Sequence, residues 1–101
     1  MHVDIKGVHY HVSDNTRDFI DKKMEKLDFA KDYIMNLHFT ITKDTNGFRV
    51  EANVSFRWGR PSHLTEESYE LWEAIELLFD KLYIKVKKEK EKVQDHKGVP
   101  E

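Results

Sequence analysis

A chain of 101 residues, 39% hydrophobic and 36% charged, is long enough for one hydrophobic core and too short for two, which leaves little room for an elaborate enzyme. The formal net charge is only −2, so attraction to a polyanion has to come from a local patch. Zero cysteines exclude disulfide, thiol and Cys-zinc chemistry; no window nears the roughly 18 apolar residues of a membrane span, and the opening MHVDIKGVHYHV has no basic or apolar leader, so a cytoplasmic location without a membrane partner is expected.

Met1, Val3 and Ile5 alternate with His2, Asp4 and Lys6, the period of a strand, which should end in a bend near Gly7. The Ser13-Asp14-Asn15-Thr16 cluster offers helix N-cap side chains. Thr16, Phe19, Ile20, Lys23, Met24 and Leu27 then share one helical face, which predicts a helix from about Asp14 to Leu27 with the Lys23 stem lying along it. Leu37, Phe39 and Ile41 alternate with polar residues, as do Phe48, Val50, Ala52, Val54 and Phe56 after Asp44-Thr45-Asn46-Gly47. That is a hairpin whose Asn-Gly pair is expected to supply the positive φ angles of the turn. Gly59-Arg60-Pro61 leads to a short edge strand around Ser62 to Glu67. From about Tyr69 to Val93 there is no Gly or Pro, and Leu71, Trp72, Ile75, Leu78, Phe79, Leu82 and Val86 recur at helical spacing. The predicted order is β-α-β-β-β-α: one α+β domain over residues 1–95, a four-stranded sheet with both helices on one face and a polar open face, then a flexible tail over 96–101.

Residues 66–80 hold six acids and no base, whereas 81–92 hold six lysines against two glutamates. At 100° per residue Lys81, Lys85, Lys88 and Lys92 fall within an arc of roughly 60°, one ridge of ammonium groups suited to a phosphate backbone. The same polarity also complements the helix macrodipole, so a solvated face fits it too. Six histidines, above all His9-Tyr10-His11, do not have the spacing of three or four convergent zinc ligands, and no metal or cofactor is expected. The acids Glu66, Glu67 and Asp80 have no nucleophile or glycine-rich phosphate cradle beside them, which argues against an enzyme. Phe39, Phe48, Phe56 and Trp58 could stack on bases if exposed, but their shared parity along the strands favours the core.

The initial strand ending at Gly7, the segment TRDFIDKKMEKL, the Asn46-Gly47 hairpin, Leu71-Trp72-Glu73-Ala74-Ile75-Glu76 and Asp80-Lys81-Leu82 before a lysine-rich helix end together resemble the ribosome hibernation promoting factors and ribosome-associated inhibitors, the S30AE-type proteins. The resemblance covers nearly the whole chain. It implies binding to the small ribosomal subunit in the channel of messenger and transfer RNA, holding idle ribosomes inactive in stationary phase or stress. The chain departs from the family pattern at Trp72, where Tyr is usual and the ring would pack under the sheet, at Ile84 and Lys85, where Arg-Gln is common, and at Glu76 in place of Asp. It has neither the long acidic tail nor the extra C-terminal domain of other members, so it is expected not to pair ribosomes by itself and to be a monomer off the ribosome.

On this reading the RNA-binding residues are Lys81, Lys85, Lys88 and Lys92, then Lys22, Lys23 and Lys26 of the first helix, brought to one basic edge if the helices lie side by side. Lys87 and Lys90 extend the ridge, and Arg57 and Arg60 flank the turn into the last strand. The partner is small-subunit rRNA, not DNA. For the first-helix lysines, intrahelical pairing with Asp18, Asp21 and Glu25 is the competing account. A second functional reading is a protein-interaction module docking through an open sheet edge or the acidic helix start at Glu66, Glu67, Glu70 and Glu73.

Overall fold

The computed structural model describes residues 1–98, with side chains described as far as Lys92. Strands β1 (His2–Val8), β2 (Ile34–Asp44), β3 (Gly47–Phe56) and β4 (Ser62–Ser68) form a single sheet in that order, covered on one face by helices α1 (Asp14–Lys23) and α2 (Leu71–Gly98). β1 runs parallel to β2, as a strand-helix-strand crossover requires, and the other two pairings are antiparallel. The β-α-β-β-β-α order and α+β class read from the sequence are those observed.

Alternation decides the faces. Val3, Leu37, Val54 and Ser62 lie abreast across the four strands, as do Ile5, Phe39, Ala52 and Leu64, and these rows face the helices. The helices answer with Ile20 from α1 and Ala74, Ile75, Leu78, Phe79, Leu82 and Val86 from α2, all fully buried. The Phe39 and Phe79 rings meet at 5.4 Å and join the two layers.

Helix α1 starts as its cap residues dictate: the Ser13 side chain accepts from the Thr16 N–H at 3.2 Å. It does not continue to Leu27. From Met24 to Ala30 the chain tightens into a 3₁₀ helix, which buries Leu27 and Ala30 while leaving Phe29 at the surface. β2 begins at Ile34, three residues before the alternating run, because a bulge at Met35 lets Ile34 and Leu37 both reach the core.

The hairpin turn differs from the Asn-Gly expectation. Only Gly47 has positive φ, at 124°, while Thr45 and Asn46 occupy the turn and the Asn46 N–H donates to Asp44 Oδ1 at 2.8 Å. Gly7 is needed for a different reason than a bend: it pairs within β1, and a Cβ there would sit 2.0 Å from the Tyr10 carbonyl oxygen. α2 runs on to Gly98, past the expected end near Val93, since no breaker precedes that glycine. Of the tail expected over 96–101, residues 99–101 lie outside the described residues.

Candidate nucleic-acid interface

With the face of α2 from Leu71 to Val86 turned to the sheet, its cations divide between two flanks. The ridge of Lys81, Lys85, Lys88 and Lys92 lies on the flank toward β4. Lys81 Nζ stands 2.7 Å from Glu66 Oε2 and donates to the Thr65 carbonyl at 3.2 Å. Glu66 occupies a core-facing register position on the edge strand, and the inward charge both receives Lys81 and discourages edge-to-edge pairing. Lys85 and Lys92 converge on one carboxylate, Glu89, at 3.1 and 3.6 Å. Lys88 is exposed and forms no ion pair with a described residue.

The first-helix lysines reach the opposite flank. Lys23 Nζ is 3.2 Å from Glu76 Oε1 and lies over the Phe19 ring at 5.4 Å, while Lys26 Nζ is 3.8 Å from Asp80 Oδ1. Lys22 is exposed. The partners are therefore acids of α2 and not the nearby Asp18, Asp21 or Glu25, and Lys26 stands in the 3₁₀ segment after α1. The two lysine groups do not share one edge, because α2 places Glu76 and Asp80 against α1 and its ridge lysines against β4. Lys90 belongs with the first-helix side: it donates to the Phe29 carbonyl at 2.5 Å and covers that ring at 5.4 Å. Lys87 is exposed beside it.

Of these pairs only Lys26 and Asp80 are both solvent-exposed, a pair worth about 0–1 kcal/mol; Glu66 and Glu89, which hold the ridge lysines, are largely shielded from water. A phosphate can displace the exposed Asp80 carboxylate from Lys26 at little cost.

Arg57 and Arg60 behave differently from one another. Arg57 is tied to the chain, its Nε donating to the Asp32 carbonyl at 2.5 Å and its backbone N–H to the Tyr33 carbonyl at 2.9 Å. Arg60 is exposed on the loop. Next to them lies a cluster that sequence periodicity did not reveal. Tyr33 stacks between Phe56 and Trp58 at 5.0 and 5.8 Å and donates its hydroxyl to the Trp58 carbonyl at 2.8 Å, with the Glu89 carbonyl 3.3 Å away. Burial, and secondarily the negative charge of Glu89, push the Tyr33 phenol above its ordinary pKa. Glu89 thus joins the β3–β4 loop, through the Tyr33 hydroxyl, to the lysine ridge; its spacing of four from Lys85 and three from Lys92 was the available signal.

The aromatic residues of the sheet sort mostly as parity requires, with Phe39 and Phe56 buried and Phe48 half-buried. Trp58 does not: it is 54% exposed, beyond the end of β3, where alternation no longer governs. Trp72 packs edge-on against Phe19 of α1 at 4.5 Å and remains 42% exposed, not tucked under the sheet. The open sheet face is polar with mixed charge: His38 pairs with Asp4, His63 Nε2 with Glu51 at 3.3 Å and Arg49 with Glu67 at 3.4 Å. Cations therefore concentrate on the helical side. No helix among the described residues is long and apolar enough to cross a membrane.

Comparison with known proteins agrees with this fold. Residues 3–94 match the family described as Sigma 54 modulation protein / S30EA ribosomal protein. A ribosome hibernation promoting factor of Pseudomonas putida is 31% identical over 94 residues, spanning 93% of this chain and 91% of that protein. One from Klebsiella oxytoca is 27% identical over 96 residues, 95% of this chain and all of that one. Among solved structures, a ribosomal subunit interface protein from Coxiella burnetii superposes with a TM-score of 0.81 at 27% identity, covering 89% of this chain and 98% of the other. The N-terminal domain of Thermus thermophilus Protein Y gives 0.78 at 26% identity, covering 87% and 98%. A match over nearly the whole length, with folds that superpose along most of both chains, means that this chain belongs to the Sigma 54 modulation protein / S30EA ribosomal protein family.

Proposed function

We propose that the protein is a ribosome hibernation factor that binds small-subunit rRNA in the messenger and transfer RNA channel and keeps idle ribosomes inactive in the cytoplasm. The observation that carries this reading is the family match over residues 3–94 joined to a helix whose lysines line both of its flanks. Relatives named as hibernation promoting factors and as a subunit interface protein support the role.

The mechanism is steric and electrostatic. Lys81, Lys85, Lys88 and Lys92 on one flank, and Lys22, Lys23, Lys26, Lys87 and Lys90 on the other, contact phosphates and position the domain without reading sequence. The body of the domain acts as a plug where messenger and transfer RNA would lie. Arg60 extends the ridge beyond the β3–β4 loop, while Arg57 holds that loop in place. No step requires a cofactor or bond chemistry.

The experiment is co-sedimentation with vacant ribosomes and separated subunits across a salt series, with translation in vitro measured on the same samples. Salt-sensitive binding to the small subunit with inhibition is expected. Absence of binding at low salt would refute the reading and favour a protein partner.

A further inference from the structure

Phe29 and Tyr83 are an aromatic pair that the fold leaves at the surface. Phe29 projects from the 3₁₀ helix and Tyr83 from the α1-facing flank of α2; their rings meet edge to face at 5.4 Å, 62° apart. They are 40% and 38% exposed. Tyr83 separates two hollows. One, of about 480 Å³, is lined by Lys26, Asp80, Tyr83 and Ile84; the other, of about 350 Å³, by Phe29, Tyr83, Lys87, Lys90 and Glu91.

The charges around the rings decide which ligand fits. Lys90 holds Phe29 in place through its carbonyl and its ring face. Lys26 is only loosely engaged by Asp80, at 3.8 Å, and Lys87 forms no ion pair with a described residue. An apolar protein side chain seated here would strip water from these ammonium groups and give nothing back. A nucleotide supplies both needs at once: a π-face for the rings and phosphates for the lysines, the combination that single-stranded nucleic-acid sites use.

We propose that Phe29 and Tyr83 form a stacking platform for one unpaired RNA base, with Lys26 and Lys87 contacting the phosphates on either side. This rests on the ribosomal reading for its biological target, since rRNA supplies the unpaired base, and adds to it an interaction that is not electrostatic. Stacking is tolerant of base identity because every base has a π-face, so the platform raises affinity without imposing a sequence.

The test compares binding of oligoadenylate with binding of a base-free ribose-phosphate chain of the same length. Expected is a preference for oligoadenylate of at least about fivefold. Phe29→Ala combined with Tyr83→Ala loses that preference, whereas Tyr83→Phe keeps it. Tyr83→Leu preserves apolar packing against Phe29 while removing the ring, and loses the preference too, which separates stacking from misfolding. Equal binding of the two chains by the unaltered protein, or a preference surviving the double alanine change, overturns the platform. Tight small-subunit binding unaffected by these changes, with no base preference, sinks the platform and leaves the ribosomal reading standing. Base preference without ribosome binding does the reverse.

Discussion

Reversing two ridge charges, Lys85→Glu with Lys88→Glu, tests whether the β4-side flank of α2 grips phosphate. Lys85 is engaged by Glu89 at 3.1 Å, whereas Lys88 forms no ion pair with a described residue, so the pair samples one committed and one uncommitted ammonium group. Each phosphate left without its ammonium partner reduces the slope of log K against log salt by about 0.7 for single strands to about 0.9 for duplex, so two such phosphates make it shallower by about 1.4–1.8. Over a fourfold rise in salt that corresponds to about 7- to 12-fold less loss of affinity than the unaltered protein shows. Stability should change little. The i,i+4 pair with Glu89 is worth about 0.3–0.5 kcal/mol, and the like-charge pair that replaces it costs about as much, a total near 1 kcal/mol. The assay is co-sedimentation with vacant small subunits at several salt concentrations, with thermal unfolding of the same samples as the control for folding. An unchanged slope and unchanged low-salt affinity in a folded variant would refute the ridge assignment and reduce these lysines to a solvated helix face.

Glu89→Gln keeps every lysine but removes the carboxylate that Lys85 and Lys92 share; low-salt ribosome affinity should rise a few-fold, and a fall would show that Glu89 orients the two ammonium groups productively. Tyr33→Phe removes the donor to the Trp58 carbonyl and should cost about 1 kcal/mol in urea unfolding at neutral pH. Because the folded-state pKa of Tyr33 is raised, its contribution is complete below the unfolded value near 10 and is lost as pH climbs through the raised folded value; stability of the unaltered protein should therefore fall more steeply in that alkaline range than that of Tyr33→Phe, and parallel pH profiles would contradict the assignment. Gly7→Ala drives a Cβ to within 2.0 Å of the Tyr10 carbonyl oxygen; destabilisation by about 3 kcal/mol is expected, seen as a drop of roughly 12 °C or more in Tm, and a melting point within a few degrees of the unaltered protein would show that the loop after β1 yields easily.

The element order and the buried faces were legible in the residues because periodicity is a local property of the backbone. Val50, Ala52, Val54 and Phe56 can share a face only if the chain is extended, and Ile75, Leu78, Phe79, Leu82 and Val86 can do so only on a helix. The lysine ridge of α2 was legible on the same ground, since residues 81–92 carry their own angular positions with them.

Tertiary structure decided what depends on partners far away in the chain. Lys23 and Lys26 face Glu76 and Asp80 across the packed helices, so no inspection of the first helix alone could assign those pairs or show that the two lysine groups lie on opposite flanks. The 3₁₀ segment from Met24 exposes Phe29 to Tyr83, the bulge at Met35 breaks the strand's alternation to bury Ile34, and the loop after β3 swings Trp58 onto Tyr33. In each case the decisive interaction joins separate elements. A helix or strand pattern fixes which side of a segment is apolar; only packing determines which polar and aromatic groups on its margins meet, and those margins carry the proposed RNA contacts.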